Sequence, residues 1–393
     1  MPSISVIIVN YNVKYFLEQC LHSVLKAMEG LAGEIIVIDN CSSDGSMDYL
    51  PPLFPSVRFV ANTENTGFSK ANNQGWRMAN ADHILFLNPD TILPEDSLRL
   101  SLAVLERDPQ VGALGIRMVD GSGRYLPESK RGFPGPRTSF FKLTGLIRLF
   151  PRSPLFARYY LGHLSPGQSQ PVDVLAGAYM LVRKTVLGAT GGFDERFFMY
   201  GEDVDLSYRI RLLGYTNWYL ADTSILHFKG ESTRKDARYV ILFYKAMALF
   251  VDKHYGRKAR AYTLFLQAAI RARAALSFTG RLLRPAKTQQ PARARNILII
   301  GDPGTIAEVQ SILAKNKYPA ASVHTAPPGE PPLALIESYR IQEIVYCAGP
   351  LRYKDIIGRL QTLPPTLLSR FHAAGSRSLA GSHTKNTGGE AFG

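Results

Sequence analysis

The sequence predicts an α/β fold with a mostly parallel central sheet, followed by basic amphipathic helices and a small second α/β unit. Three observations carry this. Short β-branched runs alternate with helical stretches through the first 120 residues, as strands covered on both faces do. At 393 residues and 46% hydrophobic, the chain is long enough for two or three domains and too apolar for disorder. No run reaches the roughly 18 apolar residues of a membrane-spanning helix.

The elements follow in order. Ile4–Val9 is the first strand; MPSISVIIVNYN lacks a basic start and a cleavage pattern, so a strand is expected there and not a signal peptide. A helix runs from Val13 to Met28. Glu34–Ile38 and Val57–Val60 are the next strands, and Ile84–Leu87 follows a helix over Asn72–Ala79. Residues 120–170 break the rhythm with many glycines and prolines among arginines and phenylalanines, the composition of a long functional loop. Regular structure resumes at Val172–Val182, a helix spans about Asp203–Leu213, and Ser224–Leu226 is strand-like.

From Tyr239 to about Leu283 the pattern is helical and basic, with Tyr262, Phe265, Leu266, Ala269 and Ile270 forming one apolar stripe. A linker rich in Pro, Gln and Arg covers Arg284–Arg295. Asn296–Ile300 then opens the C-terminal unit, with a helix at Ile306–Lys315 and a strand at Glu343–Tyr346. Its Gly301-Asp302-Pro303-Gly304 is a partial match to a Rossmann-like first turn, and Pro303 removes one donor amide. The expected units are therefore 1–235, 236–295 and 296–393.

Charge narrows the function classes. The chain carries 46 Lys+Arg against 32 Asp+Glu, a formal +14, which invites a nucleic-acid partner. Residues 1–230, however, hold 22 basic and 22 acidic side chains, and 231–295 hold 15 against 3. The charge sits in one hinge, so no nucleic-acid partner is expected. An amphipathic basic segment suits an anionic membrane surface, by the alternative to a solvated face packed on the first domain. Three scattered cysteines point to a reducing compartment.

Ligands of doubly wound sheets gather at the carboxyl ends of strands. Those ends carry Asn10-Tyr11-Asn12, Asp39-Asn40 and Asn88-Pro89-Asp90. Each residue alone is equally a cap or turn former; three on one edge are harder to dismiss. Asp39 has the position of an acid that accepts from a base or ribose. Asn65-Thr66-Gly67 leads into a helix bearing Asn72, where backbone amides can hold an anion. Asp90 is a candidate ligand for Mg²⁺ or Mn²⁺ on a diphosphate. Glu202, Asp203 and Asp205 crowd three carboxylates after the aromatic stretch Phe197–Tyr200, so one is a candidate general base, though acids also suit a helix N-terminus. His227 follows the last strand.

In order, VIIVNYN, VIDNCSSDGS, NTGFSKANNQG, LFLNPDT, AGAYMLVRK, GGFDERFFMYGEDVDLSYRI and HFKGES resemble glycosyltransferase family 2 with its GT-A fold, over roughly residues 3–235. They are most similar to the rhamnosyltransferase-like subgroup, with Asn-Pro-Asp in place of Asp-x-Asp. The resemblance implies a nucleotide-diphosphate sugar donor, foremost dTDP-rhamnose, a divalent metal, inversion at the anomeric carbon, and a glycan or lipid-linked acceptor in cell-surface polysaccharide synthesis. With the few cysteines and the basic segment over 239–285, a cytoplasmic enzyme, peripheral on the inner face of the membrane, is expected. By the same resemblance Asp203 is the base, with Glu202 beside it, and Asp90 and His227 serve the metal. Asn10, Asn12, Asp39, Asn65, Gly67, Asn72, Asn88, Gly177 and Asp205 serve the nucleotide-sugar.

Asn88 leaves the metal one charged ligand short. Rival readings are a non-catalytic scaffold that binds nucleotide-sugar, against which Asp90 and Glu202-Asp203 stand, and a processive polysaccharide synthase. The latter should show Gln-x-x-Arg-Trp and membrane spans, and neither Trp76 nor Trp218 lies in such a context.

Overall fold

The computed structural model describes residues 3–135, 138, 141, 145–228, 237–256, 294–329, 332–381 and 390–393. The expected apolar stripe around Tyr262–Ile270 and nearly all of the Arg284–Arg295 linker lie outside the described residues.

Strand β1 (Ile4–Asn10) is buried along its whole length, as its β-branched run requires of a central strand. Its alternating side chains serve two cores. Ile4, Val6 and Ile8 pack with Leu17, Leu21 and Val24 of α1 (Lys14–Ala27). Ile7 and Val9 face the opposite layer with Ile36 and Ile38. Each such side chain contributes about 1.5–3 kcal/mol when fully buried. Ser5, the polar member of the run, donates to Glu34 Oε1 at 2.7 Å, so its hydroxyl is satisfied.

In the first sheet the strands lie side by side in the order Arg58–Ala61, Gly33–Asp39, β1, His83–Leu87, Tyr179–Arg183, Val111–Val119, Thr216–His227 and Thr91–Ile92, with Gln170–Val172 beside Thr216–His227. β2 (Gly33–Asp39), β3 (Arg58–Ala61) and β4 (His83–Leu87) pair parallel with their neighbours in the first half. β10 (Tyr179–Arg183) enters antiparallel between β4 and β6 (Val111–Val119), and β6 pairs parallel with β11 (Thr216–His227). This is the GT-A-like α/β architecture, a mixed and mostly parallel sheet. The expected regular stretch Val172–Val182 is divided into β8 (Gln170–Val172), β9 (Val174–Leu175) and β10. α3 (Phe68–Met78) begins four residues before Asn72, because the Phe68 amide is bonded to the Phe198 carbonyl at 2.8 Å and starts the first turn early.

A second sheet, β13-β12-β14-β15-β16-β17, occupies the C-terminal part. β12 (Arg295–Ile300), β13 (Ala320–Ala326), β14 (Glu343–Ala348) and β15 (Leu368–Ala373) are parallel. β16 (Leu379–Gly381) and β17 (Glu390–Phe392) close it antiparallel. One apolar cluster crosses between the sheets: Phe16 and Phe228 meet at 5.2 Å, and Phe228 and Phe371 at 5.5 Å. Beside it, Gln19 donates to Ser376 Oγ at 2.9 Å and accepts from the Ala373 amide at 2.8 Å. Glu18 accepts from the Arg377 amide at 2.8 Å.

Among the described residues no helix is long and apolar enough to cross a membrane.

Candidate active site

The carboxyl ends of β1 and β4 open onto a cleft of about 290 Å³. Seven of the residues singled out from sequence line it: Asn65, Asn88, Asp90, Gly177, Glu202, Asp203 and His227.

Asp90 and His227 are far apart in the chain and are joined by the antiparallel pairing of β5 (Thr91–Ile92) with the end of β11, which sets His227 opposite Thr91. The Phe228 amide closes on the Asp90 carbonyl at 3.0 Å. His227 Nε2 then lies 3.3 Å from Asp90 Oδ1 and 3.4 Å from Asn88 Nδ2. Asp90 is 2% exposed, and its Oδ1, like His227 Nδ1, is buried without a hydrogen-bond partner among the described residues. Buried polar atoms are normally paired, so Asp90 Oδ1, with His227 Nε2 beside it, fits a divalent cation. No group of three or more His, Cys, Asp or Glu that could hold a metal occurs among the described residues. A cation here would complete its shell with ligand oxygens and water, the habit of Mg²⁺ at phosphates.

On the facing wall, Gly201 at φ +82° caps the Glu202–Leu212 helix and sets Glu202 and Asp203 in its first turn, where the helix dipole favours negative charge. Asp203 Oδ1 accepts from the Val204 amide at 2.8 Å and Oδ2 from the Gly177 amide at 3.1 Å. Oδ2 also bonds Arg131, a residue that the sequence did not single out. Burial opposes the Arg131 charge, but Asp203 and then Tyr159 outweigh it and hold the guanidinium above its ordinary range. Asp203 is therefore held by Arg131 and two backbone amides. Glu202 is the reverse case. Burial first, and the Asp203 charge second, push its carboxyl up to about 8, and its Oε2 has no partner among the described residues. Of these two adjacent carboxyls, Asp203 is thus fully bonded while Glu202 holds its proton more tightly than an ordinary carboxyl.

The other expected residues lie elsewhere. Asp205, expected at the nucleotide-sugar, is absent from the cleft lining. It is 0% exposed and bonds Arg209 Nε at 2.8 Å, Lys253 Nζ at 2.7 Å and His254 Nε2 at 2.7 Å. Burial alone would raise its pKa; His254, Arg209 and Lys253 reverse that and lower it. It ties the Glu202–Leu212 helix to the Ala237–Tyr255 helix.

Asn10, Asn12 and Asp39 are absent from the cleft lining and shape the loops behind it. Asn10 Nδ2 donates to Asp39 Oδ1 at 2.7 Å, Asp39 Oδ2 accepts from the Ser42 amide at 2.9 Å, and Asn12 Oδ1 accepts from the Ser43 amide at 2.7 Å. Asn72 is turned into its own helix, donating to the Phe68 carbonyl at 2.9 Å. Gly67, at φ +84°, is required by packing: a Cβ there would sit 2.7 Å from both the ring and the carbonyl oxygen of Phe198. Asn40 lines the cleft in their stead, donating to Asn65 Oδ1 at 3.0 Å and accepting from the Thr66 amide at 3.1 Å. Tyr159 and Tyr160 of the long loop also line it. Arg131 and these tyrosines carried no local signal, standing in a Gly- and Pro-rich stretch with no periodicity.

The family model "Glycosyl transferase family 2" matches residues 5–169. An N-acetylglucosaminyl-diphospho-decaprenol L-rhamnosyltransferase of Mycobacterium tuberculosis is 31% identical over 264 residues, 64% of this chain and 85% of that protein. The rhamnosyltransferase WbbL of Escherichia coli (strain K12) is 28% identical over 179 residues, 43% of this chain and 63% of that protein. A hexosyltransferase of low-salt glycan biosynthesis, Agl10 of Haloferax volcanii, is 26% identical over 215 residues, 54% of this chain and 62% of that protein. By its family match and by identity across most of a rhamnosyltransferase's length, the chain belongs to glycosyltransferase family 2 and is a glycosyltransferase.

Proposed function

We propose that this enzyme transfers a hexose, foremost L-rhamnose from dTDP-rhamnose, with inversion to a hydroxyl of a lipid-linked or glycan acceptor. The pathway would be cell-surface polysaccharide synthesis, at the cytoplasmic face of the membrane. Residues 1–235 would form the catalytic unit and 296–393 an attached one. The observation that carries this reading is the opposition, across one cleft, of the amide-held Asp203 carboxyl and the buried Asp90 carboxyl beside His227 Nε2. Rhamnosyltransferase relatives, one named for a diphospho-decaprenol substrate, support the donor and acceptor classes.

Asp203 takes the proton of the acceptor hydroxyl as the acceptor oxygen bonds to the anomeric carbon and the bond to the diphosphate oxygen breaks. The Val204 and Gly177 amides hold its carboxylate in place through this step. A single base suffices, since the oxocarbenium-like centre is attacked directly from the face opposite the leaving group. A divalent metal, Mg²⁺ or Mn²⁺, held by Asp90 and His227 would neutralise the departing diphosphate. Arg131 must loosen from Asp203 before the carboxylate can accept a proton. Protonated Glu202 keeps a second negative charge away from the base.

The test is donor turnover by purified protein with a panel of nucleotide sugars, with and without Mg²⁺ or Mn²⁺. Wild type should turn over dTDP-rhamnose best and lose activity with chelator. Asp203→Asn should fall by about 10²–10⁴-fold, and Asp90→Ala should require far more metal. No turnover with any donor by folded protein would leave a binding scaffold and overturn the proposal.

A further inference from the structure

Between Glu128 and Asp173 the chain holds seven lysines and arginines and not one carboxylate. Lys130 is buried and Arg131 is paired with Asp203, so among the described side chains the exposed charge of the stretch is that of Arg152 and Arg158. Within that stretch Leu149 is 71% exposed, Phe150 50% and Leu155 53%. Arg152 and Arg158 beside them are also exposed. Three large apolar side chains clustered in seven residues and bare to water need an explanation.

The stretch is anchored at its base. Lys130 Nζ, 2% exposed, donates to the carbonyls of Leu161 at 2.8 Å and Leu164 at 2.9 Å. The Gly132 amide donates to the Tyr159 carbonyl at 3.0 Å. A Cβ on Gly132 would lie 2.4 Å from the Arg158 carbonyl oxygen, so the two limbs touch backbone to backbone. The same limbs supply Arg131, Tyr159 and Tyr160 to the cleft. What this stretch docks on is thereby set beside the reacting groups.

We propose that the Leu149–Leu155 patch docks the enzyme on an anionic lipid bilayer, its apolar side chains entering the interface and its arginines meeting the headgroups. Cationic charge around exposed Leu and Phe is the composition that binds such surfaces, each basic residue contributing about 1 kcal/mol. A second copy of the chain is disfavoured as occupant, since a two-fold contact would set the exposed Arg152 and Arg158 against their own copies. The proposal rests on the lipid-linked acceptor proposed above and names the surface that would present it to the cleft.

The test is flotation of the purified full chain with phosphatidylcholine vesicles, alone and mixed with phosphatidylglycerol, at low and high salt. The wild type should float only with the anionic vesicles, and less at high salt. The triple variant Leu149→Ser, Phe150→Ser, Leu155→Ser should bind at least about tenfold more weakly, equivalent to about 1.4 kcal/mol, while hydrolysing the donor at the wild-type rate. Absence of wild-type flotation, or equal flotation of the triple variant, overturns the proposal. So does a dimer in wild type that the variant loses by light scattering. Donor hydrolysis in the same samples separates this outcome from failure of glycosyl transfer itself.

Discussion

Replacing Glu202 by glutamine should cost this enzyme little, whereas Asp203→Asn, one residue on, should disable it. Glu202 is 7% exposed and its carboxyl is pushed up from 4.5 to about 8 by burial and by the neighbouring charge. Its folded proton affinity lies above the unfolded one, so the folded state holds more protons between those two values. Stability is full below about pH 4.5, falls as pH rises through the window, and levels off above about 8. At about pH 7 the interval already crossed is some 2.5 units, and at 1.36 kcal/mol per unit this is a penalty of about 3 kcal/mol at most. Glutamine mimics the neutral carboxyl and has no such penalty. The gap in thermal midpoint between Glu202→Gln and wild type should therefore widen from about pH 5 to about pH 8. Transfer at neutral pH should stay within about tenfold of wild type, against the 10²–10⁴-fold expected for losing the base. Parallel midpoint curves for the two proteins, together with equal losses of transfer in Glu202→Gln and Asp203→Asn, would refute the assignment and make Glu202 the base.

Two further outcomes follow from the same geometry. Arg131→Gln removes the side chain bonded to Asp203; kcat for transfer at neutral pH should then fall by about tenfold or more with a small change in KM, and an unchanged kcat would show that Arg131 does not position the base. Asp205→Asn strips the shared anion from Arg209, Lys253 and His254. Breaking a buried pair of this kind costs about 3–5 kcal/mol, so its urea midpoint should fall well below that of Asp203→Asn, whose carboxylate is more accessible.

The alternating half of the fold was legible because β1, β2 and β4 are continuous apolar runs that only a doubly covered sheet can hide. β6 was not, although it lies in the middle of the same sheet. Its sequence, VGALGIRMV, carries two glycines that weaken any strand signal. The structure supplies their reason: a Cβ on Gly112 would lie 2.7 Å from Tyr215, and one on Gly115 3.0 Å from Leu175. In the site, the motifs converge on one cleft but do not tell which of their side chains line it. Asp203 and Asp205 stand two residues apart on one helix and so point to opposite sides, and Arg209, Lys253 and His254 take up Asp205 on the side away from the cleft. Arg131 was invisible for a similar reason. Its partner lies 72 residues along the chain, and it is brought there by the short antiparallel pairing of Lys130–Arg131 with β9.

The C-terminal unit shows how a motif can be accounted for by packing. Its Gly301-Asp302-Pro303-Gly304 turn has part of the glycine pattern that cradles phosphates. Gly301 is nevertheless required without any ligand, because a Cβ there would lie 2.6 Å from Thr305 Oγ1 and 2.8 Å from the Cys347 Cβ. Asp302 spends its carboxylate on the Thr305 amide at 2.8 Å as an ordinary helix cap. Beyond β15, where a doubly wound sheet would expose its carboxyl edge, Gln19 of α1 takes the Ala373 amide and Ser376. Glu18 and Gln19 are 0% and 1% exposed, a placement that a surface helix would not tolerate unless something permanent covered it. The second sheet is that cover. Its contribution to this enzyme is therefore to complete the back of the first domain, with the helix that follows β1 as the shared element.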